Sequence, residues 1–96
     1  MEKETILFKK SGRWYGSGSI EGGDTRGVTV HINFKYPNAK EIIVQCTSDT
    51  TAGWSNQDSV KCSSDVWEKN IVGIAPHQKV RIITNAEVTN AFIIQY

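Results

Sequence analysis

The stretch from residue 47 to residue 59 combines one large aromatic side chain with many hydrogen-bonding groups. Trp54 lies near its middle, with Asp49 before it and Asn56 and Gln57 after it. An exposed aromatic ring can stack on the apolar face of a sugar, while carboxylate and amide groups bind the hydroxyls. Few other apolar side chains occur there, so little is available locally to bury the ring. The sequence predicts a loop over residues 47–59 that keeps Trp54 at least partly exposed and carries a ligand-binding site of these four residues.

A second aromatic candidate lies in the segment GRWYGSGS. Trp14 and Tyr15 are adjacent, so in a strand one points to the core and the other to solvent. Gly16 and Gly18 share the face of Trp14 and leave room above it, either for a neighbouring aromatic ring or for a ligand. Tyr15 joins the predicted ligand-binding residues.

Catalysis is not expected of this chain. Its histidines are His31 and His77, one in a strand pattern and one in a turn, and no GxSxG motif places a nucleophile near either. Asp24, Asp49 and Asp58 offer oxygen ligands for calcium, but their spacing matches no EF-hand loop, and Asp is common in turns. We therefore expect no enzyme, no catalytic residue, no cofactor and no metal site.

The chain contains two cysteines, Cys46 and Cys62. If segments 40–48 and 59–67 pair antiparallel around Trp54, the cysteines lie directly opposite each other, at a separation that allows a disulfide. Such a bridge would stabilise the fold by roughly 3 kcal/mol. The alternative is two free, buried thiols, which stands equal to the bridge if the protein is cytosolic, where disulfides are rare, whereas export favours the bridge. Neither a CxxC motif nor a nearby pair of histidines indicates zinc.

Composition narrows the class of protein and of partner. Of 96 residues, 39% are hydrophobic and 22% charged, which predicts one globular domain over residues 1–96. A net charge of +1 argues against a nucleic-acid partner, and no apolar segment approaches the length of a membrane span. The N-terminus lacks the long apolar run of a signal peptide. We expect a secreted or cell-surface protein if a leader was removed, and a cytoplasmic one otherwise.

The elements that position these residues are strands. Apolar residues alternate with polar ones over residues 27–36, and a second run over 39–48 places Ile42, Val44 and Cys46 on one face. The turn residues YPNA between them predict a hairpin. TILFKK, RWYGSGSI, SVKC, DVWEKNIVGI, KVRIITN and NAFIIQY read as further strands. The fold class predicted is an all-β antiparallel β-sandwich of about eight short strands, with a small β-barrel as the alternative.

One segment supports the sandwich by resemblance. VGIAPHQKVRI resembles the crossover of fibronectin type III domains, in which a Gly-Leu-x-Pro turn links strands of opposite sheets. Ile74 would take the apolar position and Pro76 the proline. The family usually has a tyrosine shortly afterwards, whereas this chain has Val80 and Ile82 in that region. The resemblance covers about ten residues and implies a sandwich only.

Two functions compete. The leading interpretation is a non-catalytic, lectin-like carbohydrate-binding module that uses the Trp-bearing loop. The alternative is a protein-interaction module, such as an inhibitor, an immunity factor or a subunit of a toxin or surface assembly, with Trp54 as a buried anchor. Membrane insertion is not expected, because the loop lacks basic residues and a second aromatic. If the last strand, AFIIQY, lies at a sheet edge, it would allow a homodimer.

Overall fold

A computed structural model describes residues 2–21, 27–49, 51–72 and 77–95. Ten strands make up the described chain: β1 (Glu2–Thr5), β2 (Phe8–Ser11), β3 (Trp14–Ser17), β4 (Ile20–Glu21), β5 (Gly27–Phe34), β6 (Lys40–Thr47), β7 (Ser55–Cys62), β8 (Val66–Val72), β9 (Lys79–Thr84) and β10 (Val88–Gln95). In these residues there is no helix of the length and apolar character that spans a membrane.

The strands form two antiparallel sheets packed face to face. The first sheet has the order β1-β10-β5-β8. The second has the order β2-β3-β9-β6-β7, and the short β4 also pairs with β9. The sheets do not close on each other, so the predicted β-sandwich is confirmed and the barrel alternative is wrong.

The chain has more strands than the eight expected, because two N-terminal segments are each divided. TILFKK breaks at Ile6 and Leu7, which separate β1 in the first sheet from β2 in the second. RWYGSGSI breaks at Gly18 and Ser19, between β3 and β4. A turn joins these two segments, and Gly12 adopts a φ of 61° there, a conformation that favours glycine.

The core lies between the sheets and follows the alternation seen in the sequence. Val28, Val30 and Ile32 on β5 are completely buried, and Thr29, His31 and Asn33, which alternate with them, are only partly buried. The second sheet presents alternate residues of β9 and most of the apolar residues of β6 to the same core. The core cluster consists of Ile20, Val28, Val30, Ile32, Phe34, Ile42, Val44, Val80, Ile82, Ala91 and Ile93.

The hairpin predicted from residues 27–36 and 39–48 is wrong. β5 lies in the first sheet and β6 in the second, so the link between them crosses from one sheet to the other. Lys40, at the start of β6, is buried, and its Nζ donates a hydrogen bond to the carbonyl of Ser64 at 2.7 Å. Each strand has one buried face in either arrangement, which is why the alternating pattern alone did not reveal the partner.

The register predicted for the two cysteines is also wrong. Cys46 lies opposite Ser55 and Cys62 lies opposite Lys40, because the β6–β7 turn is centred several residues before Trp54. Cys46 and Lys40 are six positions apart on β6, which separates the cysteine positions by about 20 Å along the strand. Both thiols are free and partly buried. The structure therefore has two free thiols and no disulfide between Cys46 and Cys62.

Two further expectations concern strand ends. Residues 73–76, with the glycine and proline of the fibronectin-like segment, lie outside the described residues; β8 and β9 on either side of them do belong to opposite sheets.

β10 lies between β1 and β5, so it is not an edge strand. A homodimer through β10 would need that pairing to be broken, and dimerisation through another edge stays a prediction.

Candidate functional site

The outer face of the second sheet carries the candidate site. Val80, Ile82 and Thr84 of β9 are buried in the core, so the alternating residues Arg81 and Ile83 point to the other side. Antiparallel partners that lie directly opposite share a face, so pairing places Gln45 beside Arg81 and Gly16 beside Ile83. Trp14, two residues before Gly16, lies on this outer face as well.

Trp54 and Arg81 are stacked. The Arg81 guanidinium carbon lies 4.5 Å from the centroid of the Trp54 ring, a cation–π contact. Arg81 Nε donates a hydrogen bond to Gln45 Oε1 at 2.7 Å. Gln45 Nε2 in turn donates to Asn56 Oδ1 at 2.8 Å. These contacts form a continuous row, called the Arg81 row below, of Trp54, Arg81, Gln45 and Asn56.

Trp54 is neither fully exposed nor part of the core. Its side chain is partly buried and does not belong to the core cluster, which agrees with the predicted partial exposure. β7 begins at Ser55, so the loop is shorter than residues 47–59 and its second half is strand. Trp54 is therefore held at the edge of a strand, with one side covered by Arg81.

A cavity of about 750 Å³ opens on the same outer face. Arg81 and Ile83 line it from β9, and Trp14 and Gly16 line it from β3. Its further lining residues are Glu4, Thr5, Ile6, Leu7, Lys9, Ser11, Ser17, Gly18 and Ser19. Because Arg81 belongs both to this lining and to the Arg81 row, the cavity and Trp54 are joined into one surface.

Glycine keeps this cavity open. A Cβ atom added to Gly18 would meet no heavy atom within 4 Å, and one added to Gly16 would meet only Ile83 Cγ2, at 3.5 Å. No described aromatic ring lies within 4 Å of a Cβ added at either glycine, so the room above Trp14 is open space.

Two of the predicted ligand-binding residues lie away from this surface. Tyr15 is opposite Thr84, which is completely buried, so Tyr15 points to the inner side of the sheet. Gln57 occupies the bulge in β7 and lines a separate cavity of about 350 Å³ together with Val44 and Cys46. Of the predicted set, only Trp54 and Asn56 are brought together.

Asp49 shapes the loop that carries Trp54. Its Oδ1 accepts hydrogen bonds from the Thr51 hydroxyl at 2.7 Å and from the Thr51 backbone N–H at 2.9 Å. These bonds favour the ionised form and lower the pKa of the Asp49 carboxyl from its ordinary value. The Thr47 hydroxyl donates a hydrogen bond to the backbone carbonyl of Asp49 and accepts one from the backbone N–H of Asp49. Asp49 is thus used within the turn, as Asp commonly is.

Sequence reasoning missed Arg81, Gln45, Lys9 and Trp14 as site residues. The alternation predicted the outward direction of Arg81 and Gln45, but an outward polar residue is normally just solvated, and for Trp14 the adjacent Tyr15 left the direction open. What makes them a site is the pairing of β9 with both β3 and β6, which joins positions far apart in the chain.

The outer face of the first sheet has a separate polar cluster. The His31 ring stacks on Phe92 with centroids 4.7 Å apart, and its nitrogens lie 3.2 Å from Glu68 Oε1 and 3.1 Å from Asn33 Oδ1. These contacts hold the ring within the protein surface. Among the described residues, no group of three or more His, Cys, Asp or Glu side chains has the arrangement of a metal site.

Comparison with known proteins gives little guidance. No protein-family model and no curated protein matches this sequence. A crystal structure of PirA is similar over 92% of this chain and 97% of that chain, with 15% sequence identity and a TM-score of 0.44. A similarity of this size carries no argument about function.

Proposed function

We propose that this protein is a non-catalytic carbohydrate-binding module that binds its ligand in the cavity beside the Arg81 row. The observation that carries the proposal is the union of an open cavity, a lining tryptophan and a row of positioned hydrogen-bonding side chains on one rigid sheet face. The cavity volume lies within the usual range for small-ligand sites, roughly 300–1,000 Å³.

The lining suits a sugar. Trp14, Ile83 and Leu7 supply apolar surface against which the C–H face of a pyranose packs. Ser11, Ser17 and Ser19 supply hydroxyl groups that donate and accept hydrogen bonds. In this arrangement Trp54 acts indirectly, because it holds Arg81 at the edge of the cavity.

The proposal includes no reaction. A glycosidase needs two carboxyl groups on opposite sides of the scissile bond. Among the described residues that line the cavity, Glu4 is the single carboxylate and no histidine is present. This lining supports binding without hydrolysis.

The test is a glycan screen followed by calorimetric titration of each hit. We expect at least one oligosaccharide to bind the native protein and to lose most of its affinity in Trp14→Ala. Tyr36→Ala is the matched control, because Tyr36 is an exposed aromatic on the β5–β6 link and does not line the cavity. Equal loss in both variants, or a folded protein that binds no glycan, would refute carbohydrate binding at this site.

A protein ligand for the same cavity is the second candidate, and Leu7 favours it. This side chain is 72% exposed at the cavity wall, and a large exposed apolar residue beside a pocket is typical of a protein interface. If the ligand is a protein, Leu7→Ser should abolish the capture of one specific protein by a chain that binds no glycan in the screen.

A further inference from the structure

We infer that the ligand of this cavity is an acidic sugar, whose anionic group binds to Arg81 with Lys9 as a second cation. This inference rests on the proposed carbohydrate-binding function and specifies the class of carbohydrate. It concerns the chemistry shared by a sugar carboxylate and a sugar sulfate, both of which accept hydrogen bonds from a guanidinium.

Arg81 is positioned but not neutralised. One face of its guanidinium lies on Trp54 and its Nε is bonded to the neutral amide of Gln45. None of the ion pairs formed by the described residues includes Arg81. Its two terminal nitrogens are thus left to bind a group in the cavity that Arg81 lines.

Two other cations of this chain are neutralised by carboxylates. Lys35 is paired with Glu87, and Lys69 is paired with Asp58, which is the ordinary condition of a surface cation beside a carboxylate. Arg81 instead has an aromatic ring and an amide as partners, which orient the side chain and leave its charge uncompensated. A neutral sugar would gain little from that arrangement, whereas an anion gains a preorganised two-pronged donor.

Lys9 is placed to contribute from the opposite wall. Lys9 is a residue of β2 and lies opposite Gly16 of β3, which in turn lies opposite Ile83 of β9. Arg81 is two residues before Ile83, so Lys9 and Arg81 point to the same face of the sheet. Two strand spacings across and two residues along the sheet separate their Cα atoms by about 12 Å. Both side chains are long enough to reach an anion between them. The described lining residues thus include two cations, Arg81 and Lys9, against one carboxylate, Glu4.

The test compares matched sugars. The affinity of the native protein is measured by calorimetric titration for both members of three pairs. The pairs are sialyllactose and lactose, oligogalacturonate and its methyl ester, and a sulfated oligosaccharide and its desulfated form. We expect an acidic form to bind about 10- to 100-fold more tightly than its neutral counterpart, the range for charge-assisted hydrogen bonds. A carboxylate or a sulfate hit identifies the source of the anion. The preference should decrease as salt rises.

Variants connect the preference to the residues. Arg81→Gln should abolish the preference for the acidic form, Arg81→Lys should reduce it because the planar fork is lost, and Lys9→Gln should reduce it less. Lys61→Gln is the control, because Lys61 is an exposed cation on the same sheet that does not line the cavity. If Arg81→Gln does not fold, Lys9→Gln and the salt dependence still decide the matter.

Two failures are distinguishable. If neutral and acidic sugars bind equally and Arg81→Gln retains full affinity, the acidic ligand is refuted and carbohydrate binding stands. If no sugar of either kind binds to the folded native protein, the proposed function itself is refuted.

Discussion

The guanidinium of Arg81 lies 4.5 Å from the centre of the Trp54 ring, so a strand residue and a loop residue hold each other on the outer face of the second sheet. The contact fixes the loop to the sheet and directs the remaining donors of Arg81 toward the cavity. It links the stability of the loop to the geometry of the binding surface.

Trp54→Ala should leave the protein folded. The ring is partly buried and outside the core cluster, so we expect the free energy of unfolding to fall by about 1–2 kcal/mol, from the lost contact area and the cation–π contact. Ligand affinity should fall as well, because Arg81 is no longer held. Urea denaturation and calorimetry measure the two effects. Trp67→Ala is the comparison, and it should destabilise more because Trp67 packs on the core. An unfolded Trp54→Ala protein would contradict this account of the loop.

Gly18→Val should block the cavity without harming the fold. Open space surrounds the added Cβ, and the backbone of Gly18 is not in the left-handed region. Stability should stay unchanged or rise by about 0.4–1 kcal/mol, because the unfolded chain becomes less flexible. Ligand binding should be lost. Gly12→Val gives the reverse pattern, since its φ of 61° strains any other residue and it does not line the cavity. Normal binding by folded Gly18→Val would show that the ligand site is elsewhere.

The ion pair between Lys69 and Asp58 should make the fold sensitive to acid. It joins the edge strands of the two sheets, β8 and β7, and the hydrogen bond and charge of Lys69 hold the pKa of the Asp58 carboxyl below its ordinary value. A lowered folded-state pKa contributes stability above the unfolded value of about 4, and this contribution disappears as pH falls through the folded value.

We therefore expect Lys69→Met to reduce the part of the stability that is lost below about pH 4, measured as urea midpoints at a series of pH values. Asp58→Asn should do the same by removing the titrating group. Asp49→Asn is a useful comparison, because Asp49 has a lowered pKa caused by Thr51 and not by an ion pair. Acid sensitivity identical to that of the native protein in both Lys69→Met and Asp58→Asn would exclude this pair as a contributor.

Oxidation should not join Cys46 to Cys62 within one chain. The register places them six positions apart on neighbouring strands, far beyond the reach of a disulfide. We expect the same melting temperature in dithiothreitol and in oxidised glutathione. Mass spectrometry of the monomer after oxidation should show no loss of two hydrogens. A monomer with an internal disulfide would contradict the β6–β7 register.

Period-two alternation predicted the buried faces of β5 and β9 correctly, because burial of one face imposes that pattern on any strand of a sandwich. The same pattern says nothing about partners, so β5 and β6 were wrongly paired. The cysteine register failed for a related reason, since it depended on the centre of one turn.

The site was only partly predictable. Trp54 and Asn56 stood out by their types, and the glycines beside Trp14 indicated open space. Which of Trp14 and Tyr15 points outward could not be decided, because both directions are compatible with adjacent aromatic residues. Arg81 and Gln45 are 36 residues apart in sequence and bond only because β6 and β9 are neighbours.

The position of β10 also affects how the protein is made. Within the described residues β1 pairs only with β10, and β10 separates it from β5, so one of the first strands synthesised stays unpaired until one of the last is available. β5 likewise lacks its β10 neighbour until residues 88–95 are in place. Pairing over such long distances is slow, because the entropy of closing the loop is lost before the strand contacts form. During synthesis the edge of β5 that later pairs with β10 therefore keeps its backbone N–H and C=O groups unpaired, which makes it a site for aggregation.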